Sequence, residues 1–445
     1  MLKQFLFCLG LGLSTSTAHA QWVYQPIGFA STQAAPLLFD AVDASTAWGV
    51  NIGASSYVAP QVSRTTNAGQ TWTVSNLPVQ TSVSEEATSL AASSATSAWV
   101  TTVNVNGVGG RILHTTDGGL NWTVQSSATV FGSSASYPGL IRFFSATEGV
   151  AVGAPLSTSG GFEIYTTTDA GTTWTRSTAT TPLTVVDENI AVTAPSVVGS
   201  TIWFATSAGR VFRSADKGLT WTVALVDSNV ELTNVLFRDA QNGLALSLDD
   251  NGTNHRLFRS TNGGTTWAPV TYTGPLHGAA LSGVPGTSQY VSVGANLGNG
   301  DQGSSYSRDN GQTWVAIDNT LNHLNVEFVS SSVGWSGGFQ PIGSQFNGGA
   351  LRYSGTALAT RTDVALQAGL EVAPNPAVGG CFTVQATSGR PTSVRVLDAT
   401  GRLVHQQAWP TAAALSLDLS REPVGLYVLE VQAPSGTARQ KVVVQ

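Results

Sequence analysis

Thr115-Thr-Asp-Gly-Gly-Leu-Asn-Trp122 is one of six near-copies of a single octapeptide, Ser/Thr-x-Asp/Asn-x-Gly-x-x-Trp. The others are Thr65–Trp72, Thr167–Trp174, Ser214–Trp221, Ser260–Trp267 and Ser307–Trp314, and successive Trp residues lie 50, 52, 47, 46 and 47 positions apart. A fixed period of this size describes an array of small units, none of which can bury its faces alone. Working outward from the octapeptide, Arg111–Thr115 alternates into the turn and Trp122–Val124 leads out of it. Further upstream in most periods comes an apolar strand, a polar turn and a second apolar strand, as in Ile141–Gly153, Val235–Ser247 and Glu327–Gly337. Each period therefore holds four short strands, with the octapeptide joining the third to the outer one. Four-stranded units at this period are propeller blades.

Six octapeptides give six blades, and Trp22 offers a seventh. It lies 50 residues before Trp72 and opens the strand-like Trp22–Ile27. One more set of inner strands follows Trp314 and ends near Leu351–Tyr353 without an octapeptide. Closure is expected if Trp22–Ile27 supplies the outer strand of that last blade, which leaves no open edge. The expectation is an all-β chain, a seven-bladed β-propeller over residues 21–355 followed by a small Ig-like β-sandwich over 372–445, with 356–371 as linker.

Composition agrees. Forty-eight Gly, twelve Trp and only 10% charged residues suit tightly turned β-structure. The net charge of −6 and the lack of a basic cluster exclude nucleic-acid binding. Residues 1–20 read as a signal peptide: Lys3, the apolar Phe5–Leu13 and the small-x-small Ala18-His19-Ala20, with cleavage expected before Gln21. Cys8 sits inside the apolar run, so a lipoprotein reading fails. That run is too short to remain as a membrane span, so no transmembrane segment is expected in the mature chain. Cys381 is then the lone mature cysteine, expected to be a buried small apolar residue.

The octapeptides resemble the Asp-box, or BNR, repeat, in which the box is a hairpin turn on the rim of a propeller. Asn67, Asp117, Asp169, Asp216, Asn262 and Asp309 are expected to accept backbone N–H bonds in their own turns. Trp72, Trp122, Trp174, Trp221, Trp267 and Trp314 should pack on neighbouring blades. These twelve residues are read as structural. The regular spacing is most similar to photosystem II assembly-factor-like propellers, which act by binding. The sialidase superfamily is a more distant resemblance, because Tyr24–Gly28 holds no Arg where a sialidase carries one.

Propeller topology puts the outer-to-inner and second-to-third loops on one face, around the channel mouth. Loops entering the inner strands carry Glu85, Glu86, Asp187, Glu188, Glu231, His277 and His323, which are the candidate ligand-binding residues. Asp249-Asp250 and Phe339–Phe346 fall in second-to-third loops. Carboxylates beside imidazoles can do acid–base work or hold a cation, and equally form a solvated face. No pair shows a motif-grade spacing, so no catalytic residue, metal or cofactor is assigned.

Pro374-Asn-Pro376, Val396–Asp398 with Gly401-Arg402, Leu417–Ser420, Pro423–Tyr427 and Lys441 resemble the type A sorting domain of type IX secretion. The resemblance implies outer-membrane translocation, with the type IX machinery as a partner through residues 372–445. The function expected is a secreted or cell-surface binding protein with a glycan or protein ligand. The alternative is a glycoside hydrolase working on polysaccharide at the channel mouth, which would need two mouth carboxylates about 5–10 Å apart.

Overall fold

The computed structural model describes residues 21–30, 34–53, 60–78, 85–104, 109–127, 129–132, 136–155, 157, 160–177, 182–191, 193–248, 255–342, 345–355, 369–387, 391–398, 403–409, 414–433 and 436–445. The signal peptide read in the sequence, most of the linker and Asp249–Gly252 lie outside them. The chain divides into two compact units, Met1–Leu358 and Ala359–Gln445.

The first unit is a seven-bladed propeller of antiparallel sheets. Six blades are four-stranded meanders in sequence order. Blade one is Ala34–Ala41, Ala47–Gly53, Gln61–Thr65 and Thr73–Asn76, and the remaining five start at Glu85, Pro138, Ser196, Leu232 and Ala280. Blade seven joins the chain ends. Val333–Ile342 pairs with Gln345–Tyr353, and Trp22–Pro26 adds as the outer strand, in register from Trp22 opposite Tyr353 to Pro26 opposite Gly349. The closure read from Trp22 is therefore present.

Strands alternate their side chains, so each blade is apolar on both faces and buries them against two neighbours. One cluster of buried apolar residues lies at each of the seven blade interfaces: Trp48 with Leu90 and Val100 between blades one and two, for example, and Trp335 with Phe39 and Ala47 between seven and one. Inner-strand hydroxyls and carboxylates stitch adjacent blades. Ser89 Oγ accepts the Ile141 N–H at 3.1 Å, Ser196 Oγ the Phe237 N–H at 2.8 Å and Ser282 Oγ the Phe328 N–H at 3.0 Å. Asp40 Oδ2 takes the Ala92 N–H at 2.7 Å, and Glu327 Oε2 the Ala41 N–H at 2.8 Å. At the seam, a Cβ on Gly337 would lie 1.9 Å from the Pro36 carbonyl oxygen, so glycine is what lets blade seven approach blade one.

The second unit is a seven-stranded sandwich. Leu370–Ala373, Cys381–Ala386 and Ala414–Asp418 form one sheet; Leu403–Ala408, Ser393–Leu397, Gly425–Ala433 and Gly436–Val444 form the other. Phe382, Val384 and Leu417 meet Val394, Val396, Leu429 and Val431 in its core. The Pro374-Asn-Pro376 motif pins the last strand: Asn375 Nδ2 donates to the Lys441 carbonyl at 2.8 Å and Oδ1 accepts the Val443 N–H at 3.0 Å. Cys381 departs from expectation. It is exposed, because it opens its strand with its side chain off the core, and its Sγ lies 3.5 Å from Asp418 Oδ1. That carboxylate, more than burial, holds the thiol pKa up.

Candidate functional site

The six octapeptides form one turn repeated around the ring. The first-position hydroxyl donates to the Asp or Asn Oδ1 at 2.8–3.0 Å and accepts the fifth-position Gly N–H at 2.8–2.9 Å. The seventh-position N–H donates to the same Oδ1 at 2.8–3.0 Å. Where the third residue is Asp, the seventh side chain donates to Oδ2, as Thr173 does to Asp169 at 2.7 Å. Where it is Asn, the bond reverses: Asn67 Nδ2 and Asn262 Nδ2 donate to the hydroxyls of Thr71 and Thr266 at 2.8 Å. A Thr hydroxyl can do either, which explains why both residues serve. The backbone N–H and side-chain amide of Asn121 hold the Asp117 carboxyl down at about 2. These six acceptors are fully employed in their turns.

The opposite face carries the channel mouth. There Glu85 of blade two is buried; Arg111 Nε donates to its Oε1 at 2.7 Å, a second guanidinium nitrogen meets Oε2, and Thr102 Oγ1 donates to Oε1. Blade four repeats the arrangement on Glu188, with Arg210 Nε at 2.9 Å and Thr206 Oγ1 at 2.6 Å. In each case the arginine also donates to a lead-in loop carbonyl, Pro78 or Leu183. The clasp thus ties the loop that feeds an inner strand to the second and third strands of its own blade. Bidentate guanidinium–carboxylate geometry is what lets so buried a charge be satisfied.

Blades six and seven use histidine instead. His277 Nδ1 is 2.8 Å from Asp301 Oδ1, His255 Nε2 is 3.4 Å from Asp301 Oδ2, and the Gly278 N–H donates to Oδ2 at 2.8 Å. Burial raises the Asp301 pKa, but the histidines and the N–H prevail and hold it well below the carboxylate range. His323 is fully buried, with Nδ1 3.0 Å from Ser336 Oγ and Nε2 3.3 Å from Asp318 Oδ2. Burial lowers its pKa, against the opposing pull of Asp318. Trp22 rests edge-on against this imidazole, ring centroids 4.8 Å apart, and its Nε1 donates to Ser304 Oγ at 3.0 Å. His323 therefore belongs to the ring closure.

Of the seven residues singled out from sequence, Glu85, Glu188, His277 and His323 are buried in separate blades, while Glu86, Asp187 and Glu231 are exposed on three blades. The signal that finds the arginine partners is a Gly-Arg pair opening a third strand, Gly110-Arg111 and Gly209-Arg210. Around the same rim, Leu183, Val185 and Val186 ahead of blade four, Leu297 in blade six and Ile342 at a blade-seven hairpin tip are exposed. Among the described residues no group of three or more His, Cys, Asp or Glu could hold a metal ion, and no helix is long and apolar enough to cross a membrane.

Residues 371–445 match the family described as the secretion system C-terminal sorting domain. The sandwich is the type IX sorting tail that its motifs resemble, and it marks the chain for export to the cell surface or the outside. The propeller is similar in fold to YCF48 bound to D1 peptide, at 19% identity and a TM-score of 0.52 over 76% of this chain and 98% of that one. Other similar structures are the GH74 xyloglucanase from Xanthomonas campestris, at 14% identity and 0.46 over 91% and 66%, and the Hadza microbial sialidase, at 15% and 0.42 over 67% and 74%. Such identities convey fold, and function has to come from the site. No curated protein matches the sequence.

Proposed function

We propose that the propeller is a non-enzymatic binding module, exported by its sorting tail, that contacts a protein partner through the mouth face. The observation that carries this is the use made of the mouth charges. Glu85 and Glu188 are spent on matching arginine clasps within their own blades, and His277 and His323 on partly buried aspartates. Most glycosidases set two free carboxyls across the scissile bond; among the described residues, Glu85 and Glu188 are engaged within their own blades. A rim of aliphatic side chains interspersed with the exposed Glu86, Asp187 and Glu231 has the composition of a surface that takes an apolar, cationic protein segment. YCF48 carries a peptide, and the same class of partner is proposed for this chain on the strength of its own rim.

The test is the full chain applied to peptide and glycan arrays, with released reducing sugar assayed on the same polysaccharides. Peptide binding that drops about tenfold in a Leu297→Asp, Ile342→Asp double variant supports the proposal. Polysaccharide cleavage by the wild-type chain overturns it.

A further inference from the structure

The ring encloses a cavity of about 590 Å³, walled by the inner strands of all seven blades. Inner strands in three blades slip register with the second strand by one residue at a position that lines it, Leu37, Thr88 and Gly139. Charged residues reach the cavity from four blades; Arg238 of blade five lines it too, with its guanidinium held by Asp239, the Ser288 carbonyl and Asn310. Arg142 of blade three reaches Asp40 of blade one at 2.9 Å and Glu327 of blade seven at 3.3 Å. Asp40 is buried beneath the arginine, while 31% of the Glu327 side chain stays open to the cavity. In this cluster, two carboxylates against one guanidinium leave one negative charge in excess once Glu327 is ionised.

Blade five supplies an independent observation. Asn234 lines the same cavity, is 5% exposed, and its Oδ1 has no hydrogen-bond partner. An unpaired buried amide oxygen is costly and rare. Asn234 Oδ1 needs a donor, whereas Glu327, which already accepts from the Ala41 N–H and Arg142, needs positive charge; a cationic N–H group supplies both. A neutral polyol would satisfy the amide and leave the charge; an anion would satisfy neither. Aliphatic wall between them, Ala280 and Val326, suits an alkyl stem.

We propose that the propeller channel is a binding site for a small organic cation, a primary amine or guanidinium on an alkyl stem, held by Glu327 and Asn234. The site does not depend on the mouth-face reading. Binding requires the Glu327 carboxylate. The charged groups facing it are Asp40 and Arg142, and burial together with Asp40 pushes its pKa up to about 7 against the pull of Arg142. Affinity for a cation therefore rises as pH climbs through neutrality and Glu327 loses its proton.

The experiment is calorimetric titration of the full chain with cadaverine, its neutral analogue pentanediol and the dianion glutarate, on either side of neutral pH. Cadaverine should bind, more tightly at the higher pH, with pentanediol at least about tenfold weaker and glutarate silent. Glu327→Gln should cost about tenfold and flatten the pH dependence, whereas Asn234→Asp, which adds charge, should tighten binding. Should Glu327→Gln fail to fold, the pH dependence and the Asn234→Asp arm decide alone. Leu297→Asp at the mouth should leave cadaverine binding unchanged, which separates this site from the rim. Equal binding of diol and diamine, no binding of any probe, or no gain in Asn234→Asp overturns the proposal.

Discussion

At the fourth position of each octapeptide the backbone is left-handed, whatever the residue: Ala68 at φ 59°, Gly118 at 81°, Ala170 at 59°, Lys217 at 60°, Gly263 at 70° and Asn310 at 59°. The fifth-position glycines follow at 80–92°. Two consecutive left-handed residues let one hydroxyl and one carboxylate gather the whole turn. A side chain at the fourth position costs about 1 kcal/mol in this region, so Ala68→Gly should raise stability by up to about that amount in denaturant titration. The clasp residues behave oppositely. Arg210→Met strands a buried Glu188 and should lose about 3–5 kcal/mol, whereas Arg256→Met, which breaks a half-exposed pair with Asp227, should lose less than about 1. Comparable losses would mean the clasp is not what holds the lead-in loop. The carboxylates were legible in the sequence as residues but not in their partners: Glu85 and Arg111 are separated by 26 positions and Glu188 and Arg210 by 22, because loop lengths differ between blades. Asp40, Arg142 and Glu327 left a fainter mark, a charge inside an otherwise apolar inner strand.

Among the elements, Trp22–Pro26 carries the most consequence for its length. It supplies the last outer strand, and Trp22 is buried against His323, Phe328 and Tyr353. Trp22→Ala should cost about 3–5 kcal/mol, while Val23→Ala, on the exposed side of the same strand, should fall within about 0.5. His323 makes this seam sensitive to acid. Its pKa is lowered by burial below the ordinary 6.5, so the unfolded chain binds the proton more readily. Its contribution to stability is therefore full above that ordinary value and is lost as pH falls below it. Denaturation midpoints should fall less steeply with acid in His323→Gln than in the wild type; equal slopes would show that the imidazole does not titrate on unfolding. The seam was legible because Trp22 keeps the period of the octapeptides. The exposure of Cys381 was not, because a strand's first residue can face either way and no alternation precedes it.

On the scale of the molecule, the sandwich carries export, and binding is the role proposed for the propeller. The repeated period shows directly in the sequence because every blade solves the same burial problem. The proposed binding face does not, because it is assembled from loops of different blades that share neither length nor composition. Even so, topology says which loops meet, and the pairing of Glu85, Glu188, His277 and His323 leaves the aliphatic rim with the exposed Glu86, Asp187 and Glu231 as the chemistry proposed for binding. The most direct measurement is hydrogen–deuterium exchange of the full chain with and without a peptide selected from the array. Protection confined to the loops around Leu183–Val186, Leu297 and Ile342 is the predicted result. Protection of the octapeptide turns on the opposite face, with the rim unchanged, would contradict it.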